Sequence, residues 1–260
     1  MNVFVFDIET VPDIDSGRRL HDLDGLSDKE IADIMFHLRR QETGGAEFLR
    51  HHLQRIVAIS AVFRHGDSVD VFSLGEESAT EKELIQQFFD AIEKYTPTLV
   101  SWNGSGFDLP VLNYRALLHG VSAPRYWEKG DNDPKFKSNN YQSRYHERHT
   151  DLKDVLSGFQ AGARASLDEM ATMLGFPGKM GMDGSKVWGA FMSGDLVAIR
   201  DYCETDVLNT YLVYLKFEVT RGNLNQQEYQ SECELLHDVL NTSEQAHLHA
   251  FMQAWDTKKF

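Results

Sequence analysis

The chain has 260 residues, of which 42% are hydrophobic and 25% charged, a composition that is ordinary for a globular protein. It contains no run of about 18 apolar residues and no secretory signal at its start, so we expect neither a membrane span nor secretion. The net charge of −14 argues against a protein that holds long nucleic acid by its phosphates, but not against an enzyme that binds a few nucleotides beside metal ions.

The first half of the chain carries the pattern of a sheet. Apolar runs bounded by turn residues predict four strands, at 3–8, 55–63, 69–74 and 98–103. The first run is apolar on both faces, as in a central strand. Apolar residues at helical spacing predict helices at 80–95 and 109–118, the second beginning near Asp108.

The second half is predicted to be helical. Ser166 opens a capping box and Gly175 is a plausible helix stop, so a helix is predicted between them. Further helices are predicted at 194–218 (one helix or two abutting), 226–240 and 244–255. The order of elements predicts one α/β domain over 1–260 with a mixed sheet flanked by helices. A polar helical insertion is expected at about 16–50, and a helical C-terminal extension from about 220.

Two cysteines, Cys203 and Cys233, are too few for a disulfide framework and do not form a C-x-x-C pair. We therefore expect a reducing, cytoplasmic location.

The stretch VFVFDIET carries two carboxylates near its end. Asp7 and Glu9 are two residues apart on a strand, so both side chains leave the same face and repel each other. A divalent cation would relieve this repulsion, and solvent at the strand end is the alternative.

Two further acidic motifs follow in the sequence. In SWNGSGFD, Asp108 comes after an apolar strand and a glycine-rich turn; it is either a site residue or a helix cap. In DYCETD, Tyr202 and Asp206 are four residues apart on a predicted helix and therefore share a face. Asp206 lies beside apolar positions, although a solvated acidic helix surface is the competing interpretation.

Together, F-D-I-E-T, N-x-x-x-F-D and Y-x-x-x-D closely resemble the three motifs of the DEDD superfamily of 3′–5′ exonucleases. Tyrosine four residues before the last aspartate matches the tyrosine branch (DEDDy), whereas the histidine branch has His at the place of Asp201. The chain also resembles stand-alone bacterial proteins described as predicted exonucleases related to the proofreading domain of family B DNA polymerases. This resemblance implies a ribonuclease-H-like (DnaQ-like) α/β fold. A chain of 260 residues leaves no room for a polymerase domain in cis.

The resemblance implies a two-metal hydrolysis of phosphodiester bonds. Asp7, Glu9, Asp108 and Asp206 would hold two divalent cations, Mg²⁺ or Mn²⁺, with Asp7 bridging them. Tyr202 would orient the attacking water through its hydroxyl group. The implied partner is the 3′ end of single-stranded DNA or RNA, and the products are nucleoside 5′-monophosphates.

Contacts with the terminal nucleotide are implied for Thr10, Asn103 and Phe107, although core packing is the alternative for Phe107. The segment 135–149 interleaves basic and aromatic residues, which suits single-stranded nucleic acid, and Arg144 is its candidate contact; a solvated loop is the alternative. In the glycine-rich stretch PGKMGMDGSK, Lys179 is a candidate phosphate contact, with Lys186 as the alternative. His149 and Asp151 are expected to orient the basic segment rather than to catalyse.

Three other functions are compatible with parts of the pattern. A phosphatase of the haloacid-dehalogenase type also has acids after its first strand, but it requires D-x-D where this chain has Glu9, and it leaves Y-x-x-x-D unexplained. A non-catalytic nucleic-acid-binding module would have lost one of the metal-binding acids, and all four are present. An endonuclease of the same fold differs in cutting a circular single strand.

Overall fold

The structure is a computed structural model that describes residues 1–258. Its strands, numbered in chain order, are β1 (Asn2–Pro12), β2 (Gln54–His65), β3 (Ser68–Ser73), β4 (Thr98–Ser101) and β5 (His149–Asp151). They form one sheet in the order β3-β2-β1-β4-β5. The β1–β2 and β2–β3 pairs are antiparallel, whereas the β1–β4 and β4–β5 pairs are parallel. This mixed sheet flanked by helices confirms the predicted α/β, ribonuclease-H-like architecture.

The longer helices occupy the predicted regions, whereas three short helices, at Pro124–Trp127, Leu152–Leu156 and Val187–Met192, were not predicted. In chain order they are α1 (Ile14–His21), α2 (Asp28–Thr43), α3 (Glu81–Tyr95), α4 (Asp108–His119), α5 (Pro124–Trp127), α6 (Leu152–Leu156), α7 (Leu167–Met173), α8 (Val187–Met192), α9 (Leu196–Thr220), α10 (Gln226–Thr242) and α11 (Ala246–Lys258). The segment 194–218, predicted as one or two helices, contains the single helix α9. The capping box at Ser166 is confirmed, and Gly175 follows α7 with a positive φ of 79°. Among residues 1–258, no helix is long and apolar enough to cross a membrane.

Alternation along β1 sorts its side chains between two cores. Phe4 and Phe6 pack against α3 and α4 on one face of the sheet. Val3 and Val5 pack on the other face against α9, whose outer side is covered by α10 and α11. β1 is therefore buried on both faces, as its apolar sequence predicts. The odd-numbered face, which carries Asp7 and Glu9, is the face toward α9.

The segment predicted as a helical insertion, 16–50, contains α2 and most of α1. Ile31, Met35 and Leu49 form a small core of their own there. Gly17 lies so close to α2 that a Cβ at this position would fall 2.3 Å from the Met35 sulfur. The pair α1–α2 is thus held together by its own apolar contacts, next to the end of β1.

Candidate active site

The first two acids are fixed by β1. Their register partners on β2 are Ser60 for Asp7 and Ala58 for Glu9, but Thr10 pairs with Ile56, so β2 has one extra residue at this point. Such a bulge bends a strand and re-aims side chains. The bulge lies immediately after Glu9, at the end of the stretch of β1 that carries both carboxylates. Glu9 is buried and Asp7 half-buried.

Asp108 reaches this pair from the start of α4. Its side chain is 2% exposed, and its Oδ1 accepts a hydrogen bond of 3.2 Å from the backbone N–H of Ile8 on β1. The residue before the helix is Phe107, which makes no side-chain cap. Asp108 therefore binds across to the strand between the two acids instead of acting as an N-cap.

Tyr202 and Asp206 complete the cluster from α9. Tyr202 is buried and Asp206 half-buried, and the tyrosine hydroxyl donates a hydrogen bond to the carboxylate. Asp206 therefore does not lie on a solvated acidic helix surface. The four acids come from three elements that are far apart in the sequence.

Electrostatics show that these carboxylates face one another. Burial and then the negative charges of Asp108, Glu9 and Asp206 raise the pKa of Asp7 well above its ordinary value. Burial, Asp206 and Asp108 do the same for Glu9. Burial raises the pKa of Asp108 to about 7 and that of Asp206 to about 6. Within residues 1–258, none of the four forms an ion pair with a Lys, Arg or His side chain.

The donor set fits a hard divalent cation. It consists of four carboxylates, the ligands that Mg²⁺ and Mn²⁺ prefer, and none of them is ion-paired to a basic side chain in the part of the chain described. Asp7 and Asp206 are only half-buried, so the cluster is open to solvent on one side.

One neighbour of the cluster was not predicted from the sequence. A ligand atom of Cys203 lies with those of Asp7 and Glu9 within a mutual distance of 4.8 Å. The thiol contacts the Asp7 backbone oxygen at 3.5 Å and Oδ2 at 3.8 Å. Burial, together with the charges of Asp7 and Glu9, raises its pKa, so it remains a neutral thiol. The signal was its place one residue after Tyr202 on the same helix.

A largely buried series of polar side chains leads from Cys203 across the face of the sheet toward α9 and on to α11. The thiol hydrogen-bonds Ser60, whose hydroxyl lies 2.8 Å from that of Ser73. Ser73 donates to Glu204 at 2.6 Å, and Glu204 lies 2.7 Å from His247 Nε2 on α11. This series of hydrogen bonds connects the acidic cluster to α11.

The glycine-rich turn before Asp108 is held by β5. Asp151 accepts hydrogen bonds of 2.9 Å from the backbone N–H groups of Asn103 and Ser105. His149 Nε2 lies 2.8 Å from Ser101 Oγ, and burial lowers the pKa of this imidazole to about 4. Asp151 therefore orients the turn at 103–105, and a role of these two residues in orienting the basic segment stays a prediction. β5 itself was missed because His-Thr-Asp is short and polar.

The three residues predicted to contact the terminal nucleotide, Thr10, Asn103 and Phe107, have different neighbours. The Thr10 hydroxyl donates to Gln54 Oε1 at 3.0 Å. Asn103 adopts a left-handed φ of 74° in the turn. Phe107 is half-buried, and its ring packs against Phe48 and His51.

The two basic residues predicted to contact nucleic acid, Lys179 and Arg144, differ in their surroundings. Lys179 is exposed, and its positive charge acts to lower the pKa values of Glu9 and Asp206, which places it beside the acids. Arg144 forms a 2.6 Å ion pair with Asp154, which also pairs with Arg164. The guanidinium of Arg144 is thus partly neutralised within the protein.

Comparisons with known proteins show the family of the chain. A family model described as "Predicted 3'-5' exonuclease related to the exonuclease domain of PolB" matches residues 46–255. A stretch of 58 residues is 40% identical to DNA polymerase 1 of Sulfurisphaera ohwakuensis, and spans 22% of this chain and 6% of that protein. The family B DNA polymerase of Pyrobaculum calidifontis aligns with a TM-score of 0.47 and 16% identity, over 97% of this chain and 27% of that one. Since the family model covers most of the chain, this protein belongs to the family of predicted 3′–5′ exonucleases related to the exonuclease domain of PolB.

Proposed function

We propose that this protein is a metal-dependent 3′–5′ exonuclease that hydrolyses single-stranded DNA or RNA to nucleoside 5′-monophosphates. The observation that carries the proposal is the convergence of Asp7, Glu9, Asp108 and Asp206 with no basic partner in the part of the chain described. Buried like charges are costly, and a site that gathers four of them is suited to a doubly charged cation.

The four carboxylates would hold two divalent cations, Mg²⁺ or Mn²⁺. When bound, such ions supply an activated water and stabilise the charge on the leaving 3′ oxygen. The protein fixes the positions of the carboxylates that would bind these ions. Glu9 and Asp7 are fixed by the sheet, and Asp108 is fixed by its bond to the Ile8 backbone. This rigidity supports catalysis, which depends on reacting groups being held in place.

Tyr202 would orient the attacking water. Burial and the charges of Asp206 and Glu9 raise its pKa, so the phenol stays protonated and does not act as a general base. Its hydroxyl donates to Asp206 and retains lone pairs that accept a hydrogen bond from water. Tyr202 thus contributes orientation, and a variant without the hydroxyl would keep part of the rate.

Lys179 would meet the phosphate group at the cleavage position. It lies beside Glu9 and Asp206 yet is exposed, so its ammonium group is available to a bound anion. On the other side of the acids, Asn103 and Phe107 precede Asp108 and would contact the terminal nucleotide. Thr10 follows Glu9 and would do so through its backbone.

Arg144 is the more distant contact in this proposal. Its ion pair with Asp154 leaves the side chain 43% exposed. Because a second arginine, Arg164, shares the same carboxylate, the three groups together carry a net positive charge. That charge would attract the phosphates of the incoming single strand.

The test uses 5′-labelled DNA and RNA oligonucleotides incubated with Mg²⁺ or Mn²⁺, with and without EDTA. We expect a ladder of shortened products that EDTA abolishes and that the variant Asp206→Ala does not produce. A folded, metal-loaded preparation that yields no ladder from either nucleic acid would contradict the proposal.

Two control substrates separate the alternatives. A circular single strand should resist the enzyme, and cutting of the circle would indicate an endonuclease. p-Nitrophenyl phosphate should not be turned over. Metal-dependent turnover of this monoester without oligonucleotide degradation would favour the phosphatase.

A further inference from the structure

An exposed phenylalanine stands beside the acidic cluster. Phe48 is 59% exposed, although Phe is among the residues most often buried in folded proteins. It lies between α2 and β2, where its neighbour Leu49 is 3% exposed and packs into the small core with Ile31 and Met35. Leu49 therefore anchors this segment and leaves the adjacent ring at the surface.

The backbone around this ring is held in place. Arg39 Nε donates a hydrogen bond of 2.9 Å to the carbonyl oxygen of Phe48. Three residues on, His51 Nε2 lies 2.9 Å from the carbonyl oxygen of Gly106, in the glycine-rich turn. The segment that carries Phe48 is thus bound to the same turn that leads into Asp108.

Three rings meet at this place. The Phe48 and Phe107 ring centroids are 5.3 Å apart with an interplanar angle of 56°, and those of His51 and Phe107 are 5.6 Å apart at 46°. Phe107 precedes Asp108, so the ring cluster adjoins the acids. We refer to Phe48, His51 and Phe107 as the aromatic platform.

We propose that Phe48 is the outer stacking surface of a site for an unpaired nucleobase near the 3′ end of the substrate. The inference rests on the proposed exonuclease function and adds a residue that the motifs do not contain. Base–aromatic stacking is sequence-tolerant and contributes about 1–3 kcal/mol per base. Continuity with the acids favours a nucleobase as the occupant, because a strand whose terminal phosphodiester reaches Asp108 must pass its bases over Phe107 or its neighbours.

His51 and Phe107 have supporting roles in this site. His51 fixes the platform to the turn through the Gly106 carbonyl, and Phe107, half-buried, packs between the other two rings. Phe48 alone combines a large ring with high exposure, so it offers a free stacking face. It is therefore the residue whose removal should cost the most binding.

The test compares Phe48→Ala with Phe48→Trp, and uses Trp127→Ala as a matched control. Trp127 is 49% exposed, lies on α5 and packs against Tyr126, and it is not one of the three rings of the aromatic platform. On single-stranded oligonucleotides we expect Phe48→Ala to raise KM by about 5- to 150-fold with little change in kcat. Phe48→Trp should restore the wild-type KM, and Trp127→Ala should behave as wild type.

A substrate whose last nucleotides are abasic provides a specific check. The KM difference between wild type and Phe48→Ala should shrink on this substrate, since there is no base to stack. An unchanged KM in Phe48→Ala, or an equal loss on normal and abasic substrates, would overturn the proposal.

A binding measurement separates this inference from the proposed function. An oligonucleotide with 2-aminopurine at its 3′ end is titrated in Ca²⁺, and stacking is read as fluorescence quenching. We expect quenching by wild type and by Trp127→Ala, and much less by Phe48→Ala. If wild type degrades oligonucleotides but Phe48→Ala quenches equally, the stacking site is wrong and the exonuclease proposal stands. If wild type degrades nothing, the exonuclease proposal fails, and loss of quenching in Phe48→Ala still supports a base site.

Discussion

Two clusters of buried acids lie at the same end of β1 and differ in one respect. The candidate active site has four carboxylates and no basic partner among the residues described. The second cluster consists of Asp13 and Glu81, whose side chains both bind the guanidinium of Arg115. Arg115 Nε donates to Glu81 Oε1 at 2.7 Å, and Glu81 Oε1 also accepts from the Ile56 backbone at the same distance.

The pKa of Asp13 and the pKa values of the four acids in the candidate active site move in opposite directions. Burial acts to raise the pKa of Asp13, but hydrogen bonds from Ser16 and Arg115 outweigh it and lower the pKa. Burial raises the pKa of Asp108 to about 7, and no basic side chain offsets it. The carboxylates of Asp13 and Glu81 are therefore stabilised in their buried positions by a cation from the chain itself, the Arg115 guanidinium. In the proposed function, a cation from solution would complete the acidic site.

Removal of one acid should have the largest effect. Asp206→Ala should lower kcat by at least about a thousandfold, because a lost ligand removes charge stabilisation equivalent to roughly 4 kcal/mol of the barrier. Asp201→Asn is the matched control, since Asp201 lies on the same helix but pairs with His247 at 3.1 Å. Rates on labelled oligonucleotides measure both variants. A comparable loss of rate in both variants would indicate that any substitution in this part of α9 is harmful. It would then not support a cation bound by Asp206.

Removal of the internal cation should instead affect stability. Arg115→Met removes the guanidinium group from two buried carboxylates, which keep hydrogen bonds only from Ser16, the Ile56 backbone and His119. We expect it to lower the free energy of unfolding by about 3–5 kcal/mol. The exposed pair of Arg40 and Glu47 provides the control, because Arg40→Met should change stability by less than about 1 kcal/mol. Urea unfolding measures both. Near-equal values would mean that burial of the Arg115 pair contributes little.

Addition of divalent metal should stabilise the protein in a pH-dependent way. The folded-state pKa values of Asp108 and Asp206, about 7 and about 6, lie above the ordinary 3.8, so the folded state holds its protons more tightly. Without metal, these groups therefore destabilise the folded state progressively as pH rises from about 4 to about 7. A cation offsets this cost only where the carboxylates are ionised. We expect Mn²⁺ at a hundredfold its Kd to add about 3 kcal/mol.

The corresponding measurement is thermal unfolding with and without Mn²⁺ at about pH 5 and about pH 8. The metal-dependent rise in Tm should be larger at the higher pH, and Asp108→Asn should reduce it. An equal rise at both pH values in wild type and variant would place the ion elsewhere.

Much of the acidic site was readable from the sequence because local rules position its residues. Asp7 and Glu9 share a strand face, Tyr202 and Asp206 share a helix face, and Asp108 follows a strand and turn. The structure brings all five together. Their order along the chain added specificity that no single motif has.

The remaining features depend on contacts between distant parts of the chain. Arg115 and Asp13 are 102 residues apart, and neither lies in a motif. Phe48 resembles any other apolar residue until the structure shows that Leu49, and not Phe48, is buried. Arg144 was predicted as a nucleic-acid contact, and its ion pair with Asp154, ten residues later, was not foreseen. Local periodicity carries no information on such pairs.

Removal of the Tyr202 hydroxyl should have the smallest of these effects and test the acidic cluster most finely. Tyr202→Phe should retain activity, reduced by about 10- to 100-fold at about pH 8, because water is less well oriented. The lost hydrogen bond normally lowers the pKa of Asp206, so in the variant this pKa rises and metal binding weakens at acidic pH. The rate loss should therefore be greater at about pH 6 than at about pH 8.

The opposite pH dependence would change the mechanism. If Tyr202 acted as a tyrosinate base, the loss would grow with rising pH, because the phenolate form would contribute only there. The raised pKa of the tyrosine opposes that role, since burial and the charges of Asp206 and Glu9 all disfavour the anion. A pH–rate profile of wild type and Tyr202→Phe at one fixed, subsaturating Mn²⁺ concentration thus decides whether the hydroxyl orients water or removes its proton.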